Sequence, residues 1–316
     1  MDVSVIIVNY NTARLIVDCV KSVRRYTAGI DYEIVVVDNC SREDARRIIS
    51  EGCGTDGIRY VQLSGNLGFG RANNEGFKVA RGRNLLCLNP DTLLLNNAIK
   101  ILSDWLDAHP DTGICGGNLY GCDMQPAHSY MMLLPGVVWE LDALLLHKLQ
   151  RAVYGRNCQF NYTSRPKRVA YITGADLMIR RSVAEAARGF SPEFFMYFEE
   201  TDLCRRVAGM GLRLMNVPQA RIQHLEGMSY NAEEYKVNEL GIRHWEEGRL
   251  VYYRLHSRGI AAWAAAQIYR AALAAGKLCF RLLRRPVWKS YECRQKTARE
   301  LRRGQAAAGA THGGNL

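Results

Sequence analysis

The chain opens on a short apolar run, Val3 to Val8. It is too brief for a buried helix and too continuous for a strand with one wet face, so it predicts a strand covered on both sides in a parallel sheet. Leu15, Ile16, Cys19, Val20 and Val23 then recur at helical spacing, with Asn11 or Thr12 placed to cap the helix. Glu33 to Val37 repeats the strand pattern and ends on Asp38, and Ser41, Glu43 and Asp44 offer a cap and first-turn acids for a second helix. Ile58 to Leu63 predicts a third strand, Ser64 to Gly70 a polar loop, and Ala72 to Ala80 a helix. Asn84 to Leu88 predicts a fourth strand, stopped by Asn89-Pro90-Asp91. Ile99, Leu102, Trp105 and Leu106 mark the inner face of a helix from Asn96 to Ala108.

Repeated strand-then-helix units predict an α/β fold with a doubly wound, mostly parallel sheet, whose ligand lies at the carboxyl ends of the strands. The polar tips fall at those ends: Asn9 to Asn11, Asp38 and the Asn-Pro-Asp turn. Beyond Tyr120 the pattern loosens as far as Arg168. It returns with Val169 to Thr173, a strand over Asp176 to Arg180, and Phe194 to Tyr197 leading into Glu199-Glu200-Thr201-Asp202, which opens a helix. A strand around Leu212 to Val217 and then His224 close this region.

With 316 residues, 48% of them hydrophobic, the chain can bury a full core. Its ten cysteines include no Cys-x-x-Cys pair, which fits reduced thiols in a cytoplasmic protein. Asp2 stands where a secretory leader carries a base and Asn9 cuts the apolar run, so no leader is expected. The formal net charge is +11, and the stretch from Lys277 to Arg303 holds ten Lys or Arg against Glu292 and Glu300, a local excess of eight. Just before it, Gly259 to Phe280 is Ala-rich, carries Trp263 and Tyr269, and is interrupted by Gln267, Arg270 and Lys277. That is too polar to span a bilayer, but it suits a helix lying in a membrane interface, beside which the basic segment would meet anionic lipid rather than nucleic acid. A solvated amphipathic helix packed on the main domain is the alternative. The Gly- and Ala-rich end after Gln305 is expected to be disordered.

An acid ending the second strand also occurs in dinucleotide sites, where it binds a ribose hydroxyl. That reading fails at the first turn, because Val8-Asn9-Tyr10-Asn11-Thr12 has no glycine to bring backbone against a pyrophosphate. A diphosphate would then be balanced by side chains and a hard divalent ion, Mg2+ or Mn2+, which prefers carboxylate oxygens, water and phosphates. Asp91 supplies one carboxylate, and neutral Asn89 is a poorer ligand. Read alone, Asp38 is also compatible with a turn residue, Arg71 with a surface base, His224 with a structural histidine, and Glu199, Glu200 and Asp202 with stabilisers of a helix N-terminus.

Five motifs occur in order: Ser4-Val-Ile-Ile-Val-Asn-Tyr-Asn11, Val35-Val-Val-Asp-Asn-Cys-Ser41, Asn66-Leu-Gly-Phe-Gly-Arg-Ala-Asn-Asn-Glu-Gly76, Leu88-Asn-Pro-Asp91 and Phe195-Met-Tyr-Phe-Glu-Glu-Thr-Asp-Leu203. Together they resemble family 2 glycosyltransferases of the GT-A fold, nearest the bacterial rhamnosyltransferase branch. The resemblance implies an inverting, metal-dependent hexosyltransferase using a nucleotide diphosphate sugar, dTDP-rhamnose above others. Beside it, the basic segment and the Ala-rich helix suggest a saccharide or polyprenyl-linked acceptor, in cell-surface polysaccharide synthesis, held at the inner face of the cell membrane. The resemblance places Tyr10, Asp38 and Arg71 on the base and ribose, with Asn9 and Asn89 in the same nucleotide-sugar group. Asp91 and His224 fall on the metal. Glu200 falls on the catalytic base, with Glu199 and Asp202 beside it. Asn89 departs from the family's Asp-x-Asp motif, and Glu75 and Asp176 are read as supporting residues.

The expected organisation is a catalytic domain over 1–230, with a nucleotide half to 118 and an acceptor half from 119. A helical basic extension over 231–303 and a disordered tail over 304–316 follow. The rival reading is a non-catalytic protein of the same fold acting as a scaffold at the membrane, which the missing first acid at Asn89 favours.

Overall fold

A computed structural model describes residues 1–225 and 237–312, the side chains of 304–312 excepted. The chain runs β1 (Val3–Asn9), α1 (Ala13–Tyr26), β2 (Tyr32–Asp38), α2 (Ala45–Cys53), β3 (Ile58–Gln62), α3 (Phe69–Val79), β4 (Asn84–Leu88), β5 (Thr92–Leu94), α4 (Ala98–Ala108), β6 (Thr112–Tyr120) and β7 (Tyr130–Met131). It continues through α5 (Val137–Leu144), α6 (Lys148–Tyr154), β8 (Lys167–Arg168), β9 (Tyr171–Ile172), β10 (Asp176–Arg180), α7 (Arg181–Ala186), α8 (Glu199–Gly209), β11 (Arg213–His224), α9 (Glu239–His256), α10 (Gly259–Leu282) and α11 (Trp288–His312).

Two compact units result. The first comprises Met1–Leu134, Gln150–Phe195 and the run from Glu199 through β11. Its main sheet has the order β3-β2-β1-β4-β10-β6-β11-β5, with β8 on β11. The ladders β1–β2, β2–β3, β1–β4 and β6–β11 are parallel, and β10 enters antiparallel to both β4 and β6. Six strands therefore share one direction, the mostly parallel sheet the sequence pattern predicts. Val5, Ile7, Val36 and Leu86 are fully buried against Ile16, Val20 and Leu102 of the covering helices. Each such side chain contributes about 1.5–3 kcal/mol on leaving water.

Two helix caps differ from expectation. Thr12 makes no side-chain cap for α1. Asn9 Oδ1 accepts from the Thr12 N–H (3.0 Å), and Glu43 Oε1 accepts from the Ala13 N–H (2.8 Å). Ser41 is drawn to Asp38 and Asn9, so α2 is capped by Asp44, which accepts from the Arg47 N–H. Sequence periodicity passed over β5, β6 and α7. β6 lacks an apolar pattern because it carries glycines where chains approach closely: a Cβ at Gly117 would press on the backbone of Ala220. β11 runs through Pro218 because its pairing with β6 shifts register between Asn216 and Arg221, leaving the proline outside the ladder.

The second unit comprises Pro135–Leu149, Met196–Phe198 and the helices α9 to α11. It therefore takes in segments expected within the catalytic domain, while the expected boundary at 230 lies outside the described residues. A buried ion pair explains why α5 belongs here. Arg249 of α9 donates from Nε to Glu140 Oε1 (3.0 Å) and again from its terminal nitrogen, and the Tyr253 hydroxyl donates to the same oxygen at 2.8 Å. The expected helix over Gly259 to Phe280 is realised as α10. The last helix reaches His312, across ground expected to be disordered, and residues 313–316 lie outside the described chain. Among the described residues no helix is long and apolar enough to cross a membrane.

Replacing Arg249 by Met would leave the Glu140 carboxylate buried without its cation. We expect a loss of about 3–5 kcal/mol in urea unfolding followed by tryptophan fluorescence. A loss below about 1 kcal/mol would show that the clamp does not hold this unit together.

Candidate active site

The site forms where the parallel strands end. Asn9 and Asp38 are register partners at the carboxyl ends of β1 and β2. The buried Asp38 carboxylate accepts from the Ser41 backbone N–H (2.7 Å), Asn9 Nδ2 (2.8 Å) and Gln62 Nε2 (3.1 Å). Burial alone would raise its pKa, but these donors outweigh it and hold the carboxyl below the ordinary aspartate range. Asn9 has both ends of its amide engaged, with Asp38 and Ser41 on one side and Thr12 on the other. It thus orients Asp38 rather than projecting outward. Tyr10, next along, is 45% exposed.

The loop after β3 is fastened by Asn39. Its Nδ2 donates to Asn66 Oδ1 (2.8 Å) and to the Gly68 carbonyl (3.3 Å), while its Oδ1 accepts from the Leu67 N–H (2.8 Å). Arg71 is half-buried and donates from Nε to the Leu67 carbonyl. Gly68 is left-handed (φ 82°), and a Cβ there would overlap the carbonyl of Phe195. Phe69 donates its backbone N–H to that carbonyl (3.0 Å), which joins the loop to the chain just before α8.

The Asn-Pro-Asp turn follows β4. Asn89 donates its N–H to the Ala175 carbonyl (3.0 Å), and its own carbonyl accepts from the Thr92 hydroxyl (2.7 Å). β5 pairs with β11 so that Thr92 faces His224, which brings the imidazole to the turn. His224 Nε2 lies 3.3 Å from Asp91 Oδ1 and 3.3 Å from Asn89 Nδ2. If Nε2 accepts from Asn89, Asp91 faces a lone pair, a repulsion that a cation between the two would relieve. Neighbouring ligands of an octahedral ion with bonds near 2.1 Å stand about 3 Å apart, so the pair fits one divalent ion. Among the described residues no group of three or more His, Cys, Asp or Glu gathers to hold a metal unaided. The remaining ligands must then be water or substrate oxygens. On β10, Asp176 is fully buried and accepts from the Gly117 N–H (2.5 Å). Burial pushes its pKa up to about 7 against that hydrogen bond and the charge of His224.

The acids at the start of α8 divide into distinct environments. Glu199 is 4% exposed, and its Oε2 has no hydrogen-bond partner among the described residues. Burial, and then the neighbouring charge of Glu200, raises its pKa well above the carboxylate range. Glu200 is half-buried, with its Cβ across from Gly174, and burial raises its pKa too, against hydrogen bonds from Thr201. Asp202 turns inward to Arg206, which donates from Nε at 2.8 Å and also binds the carbonyls of Ala187 and Gly189. Asp202 therefore fastens α8 to the segment after α7. Left-handed non-glycine residues stand at the tips after β1 and β2: Asn11 (φ 58°) and Cys40 (φ 66°). Backbone strain of this kind persists where surrounding contacts over-determine a site.

Residues missed from sequence are Asn39, Gln62 and Asn66, and Ser41 was assigned a different task. Their only signal is that they are polar and close behind a buried strand. Glu75 pairs with Lys78 on the surface (2.7 Å), a supporting role as expected.

A mostly parallel sheet with Asp38 at the end of β2, the Asn-Pro-Asp turn at the end of β4 and a carboxylate pair opening α8 is the arrangement of the GT-A fold. The model of Glycosyl transferase family 2 matches residues 4–187, more than half of the chain, and the chain belongs to that family. It is 28% identical over 211 residues to the low-salt glycan biosynthesis hexosyltransferase Agl10 of Haloferax volcanii, covering 65% of this chain and 61% of that one. It is 24% identical over 202 residues to the rhamnosyltransferase WbbL of Escherichia coli strain K12, covering 61% and 72%. Among solved structures, the mannosyltransferase PcManGT of Pyrobaculum calidifontis in complex with GDP-Man and Mn2+ superposes with a TM-score of 0.58 at 17% identity, over 94% of this chain and 84% of that one. GalNAc-T7 with UDP, GalNAc and Mn2+ gives 0.57 at 17% identity, over 86% and 53%.

Glu199 yields a test of the site's electrostatics. A carboxyl that keeps its proton to higher pH when folded favours folding most below the ordinary carboxylate range, and that stabilisation is lost as pH rises through the raised value. Glu199→Gln is neutral throughout. We expect its melting temperature to match wild type near pH 5 and to exceed it increasingly toward pH 9 in thermal melts. Parallel curves would show that Glu199 is not buried as described.

Proposed function

We propose that the protein is an inverting, metal-dependent hexosyltransferase. It moves a sugar, best matched by rhamnose from dTDP-rhamnose, onto a saccharide or polyprenyl diphosphate-linked saccharide in cell-surface polysaccharide synthesis. The observation that carries this reading is half-buried Glu200 beside buried Glu199, whose pKa burial raises, on the edge that also bears Asp38 and Asp91. Tyr10, Asp38 and Arg71 receive the base and ribose, Asp38 as an ionised acceptor. Asp91 and His224 hold Mg2+ or Mn2+ together with the donor's phosphates, and Asn89 orients His224. Bound there, the ion supplies positive charge against the diphosphate as it departs.

An acceptor hydroxyl is a poor nucleophile at neutral pH, and Glu200 takes its proton as attack on the anomeric carbon proceeds. The amino end of α8 favours the ionised form of Glu200, while Glu199, which keeps its proton, adds no second negative charge. The basic segment around α10 and α11 holds the enzyme at the inner face of an anionic membrane, where a lipid-linked acceptor is presented. The likeness to the hexosyltransferase Agl10 and the rhamnosyltransferase WbbL supports the hexosyl and rhamnosyl assignments. The Mn2+ in the complexes of two structural neighbours supports the metal. The rival, a non-catalytic scaffold, has Asn89 in its favour. Against it stands the retention of Glu200, Asp91 and Asp38.

Transfer assays across a panel of nucleotide sugars, with and without Mn2+, separate the two readings, and turnover of no donor would favour the scaffold. Glu200→Gln should lower kcat by about 10²–10⁴-fold with donor affinity retained. The acid limb of wild-type kcat/KM should lie above the ordinary glutamate pKa of about 4.3. Unchanged turnover in the variant would remove Glu200 from the role of base. For Asp91→Ala, calorimetric titration with donor should lose its dependence on Mn2+, and a titration equal to wild type would contradict the metal assignment.

A further inference from the structure

We infer that the outward faces of α5 and α10 form one apolar surface that embeds in a single leaflet of an anionic bilayer without crossing it. The inference rests on the membrane placement proposed above and names the side chains that enter.

Helix α5 is inside out. Its acids Glu140 and Asp142 are fully buried, whereas Val138 is 58% exposed and Leu141 and Leu145 face solvent with it. Positions 138, 141 and 145 share one face of a helix. The ion pair of Glu140 with Arg249 and the hydrogen bond from Tyr253 fix that orientation, because turning α5 to hide its leucines would expose a clamp that is complete only inside. Helix α10 packs against α5 and exposes large apolar side chains near both of its ends, with half-buried Gln267 on the same face between them. Ala265, Tyr269 and Leu273 are buried on one side, while Ile260 (85%), Trp263 (65%), Leu278 (60%) and Leu282 (74%) are exposed on the other. At 3.6 residues per turn these four fall within about 100° of arc, and the residues exposed between them include Ala271 and Ala274.

A solvated helix shows the reverse arrangement, and a contiguous exposed apolar face marks an interaction surface. Charge identifies the occupant. Arg281, Arg284, Arg285 and Lys289 are exposed at the carboxyl end of this face. A bilayer offers that same sequence of environments, with anionic headgroups over an apolar layer, and Trp263 is the residue type that favours the boundary between them. Gln267, Arg270 and Lys277 keep α10 from spanning.

The experiment is flotation of the full chain with vesicles of phosphatidylglycerol and phosphatidylcholine, or of phosphatidylcholine alone, over a salt series. The basic segment gives binding that salt removes; the apolar face gives binding that survives salt. Wild type should float with anionic vesicles and keep a salt-resistant fraction. The variants Val138→Ser/Leu141→Ser/Leu145→Ser and Ile260→Ser/Trp263→Ser should still bind at low salt but lose that fraction at least about tenfold, with unchanged melting and unchanged transfer to a soluble acceptor. Failure of wild type to float at all would remove the membrane placement and this inference with it. Flotation of wild type with the same salt profile in both variants would overturn only the inference. A wild-type dimer in light scattering that either variant converts to monomer would also overturn it, by assigning the face to a second copy.

Discussion

The close approach of Gly68 to Phe195 is the contact on which the site depends. The loop after β3 belongs to the nucleotide side, and Phe195 belongs to the approach to α8. They meet through the Phe69 N–H and the Phe195 carbonyl because no side chain at position 68 stands between them. Asn39 fastens the same loop from the other direction, to the end of β2 that carries Asp38. A line of hydrogen bonds therefore links the end of β2 beside Asp38 to the segment that leads into α8. Any side chain at position 68 would break that line at its middle while leaving both halves folded.

The fold also sorts its carboxylates. Asp38 collects donors and stays ionised, and Glu199 is buried without enough of them and keeps its proton. Asp176 sits between these extremes, while Asp202 is taken out of the site by Arg206. Four acids of similar chemistry thus end in four environments, and the number of hydrogen-bond donors each receives, set against its burial, decides which. The Asn-Pro-Asp turn follows the same logic. Asn89 in place of an acid keeps negative charge low around Asp91, and His224 reaches the turn from a strand that arrives much later in the chain.

The first half of the fold was legible because each strand-helix unit encloses its own hydrophobic pattern: Val3 to Val8, Glu33 to Val37 and Asn84 to Leu88 all became strands. Glu200, Asp38 and Asp91 were legible in position, since each follows a strand or opens a helix that the hydrophobic pattern marks. Other features were hidden for physical reasons. β5 is three residues long and exists through its pairing with β11. β6 carries glycines in place of an apolar alternation, since neighbouring backbone leaves no room for a Cβ. Ser41 has the form of a helix cap but is recruited by Asp38, and α5, in the stretch where the pattern loosens, buries its acids and exposes its leucines. In each case a partner distant in sequence overrides the local preference.

The insertion of β10 between β4 and β6 has a consequence for the order of assembly. β1 to β4 all lie within the first 88 residues, so their ladders can form before β10 is made. The Asn-Pro-Asp turn gains its bond to the Ala175 carbonyl only when β10 arrives, about ninety residues later. The edge that carries Asn9 and Asp38 can thus be complete before the start of α8 and His224 exist. A nascent chain halted near α4 would hold the Asp38 cluster with neither His224 nor Glu200 beside it.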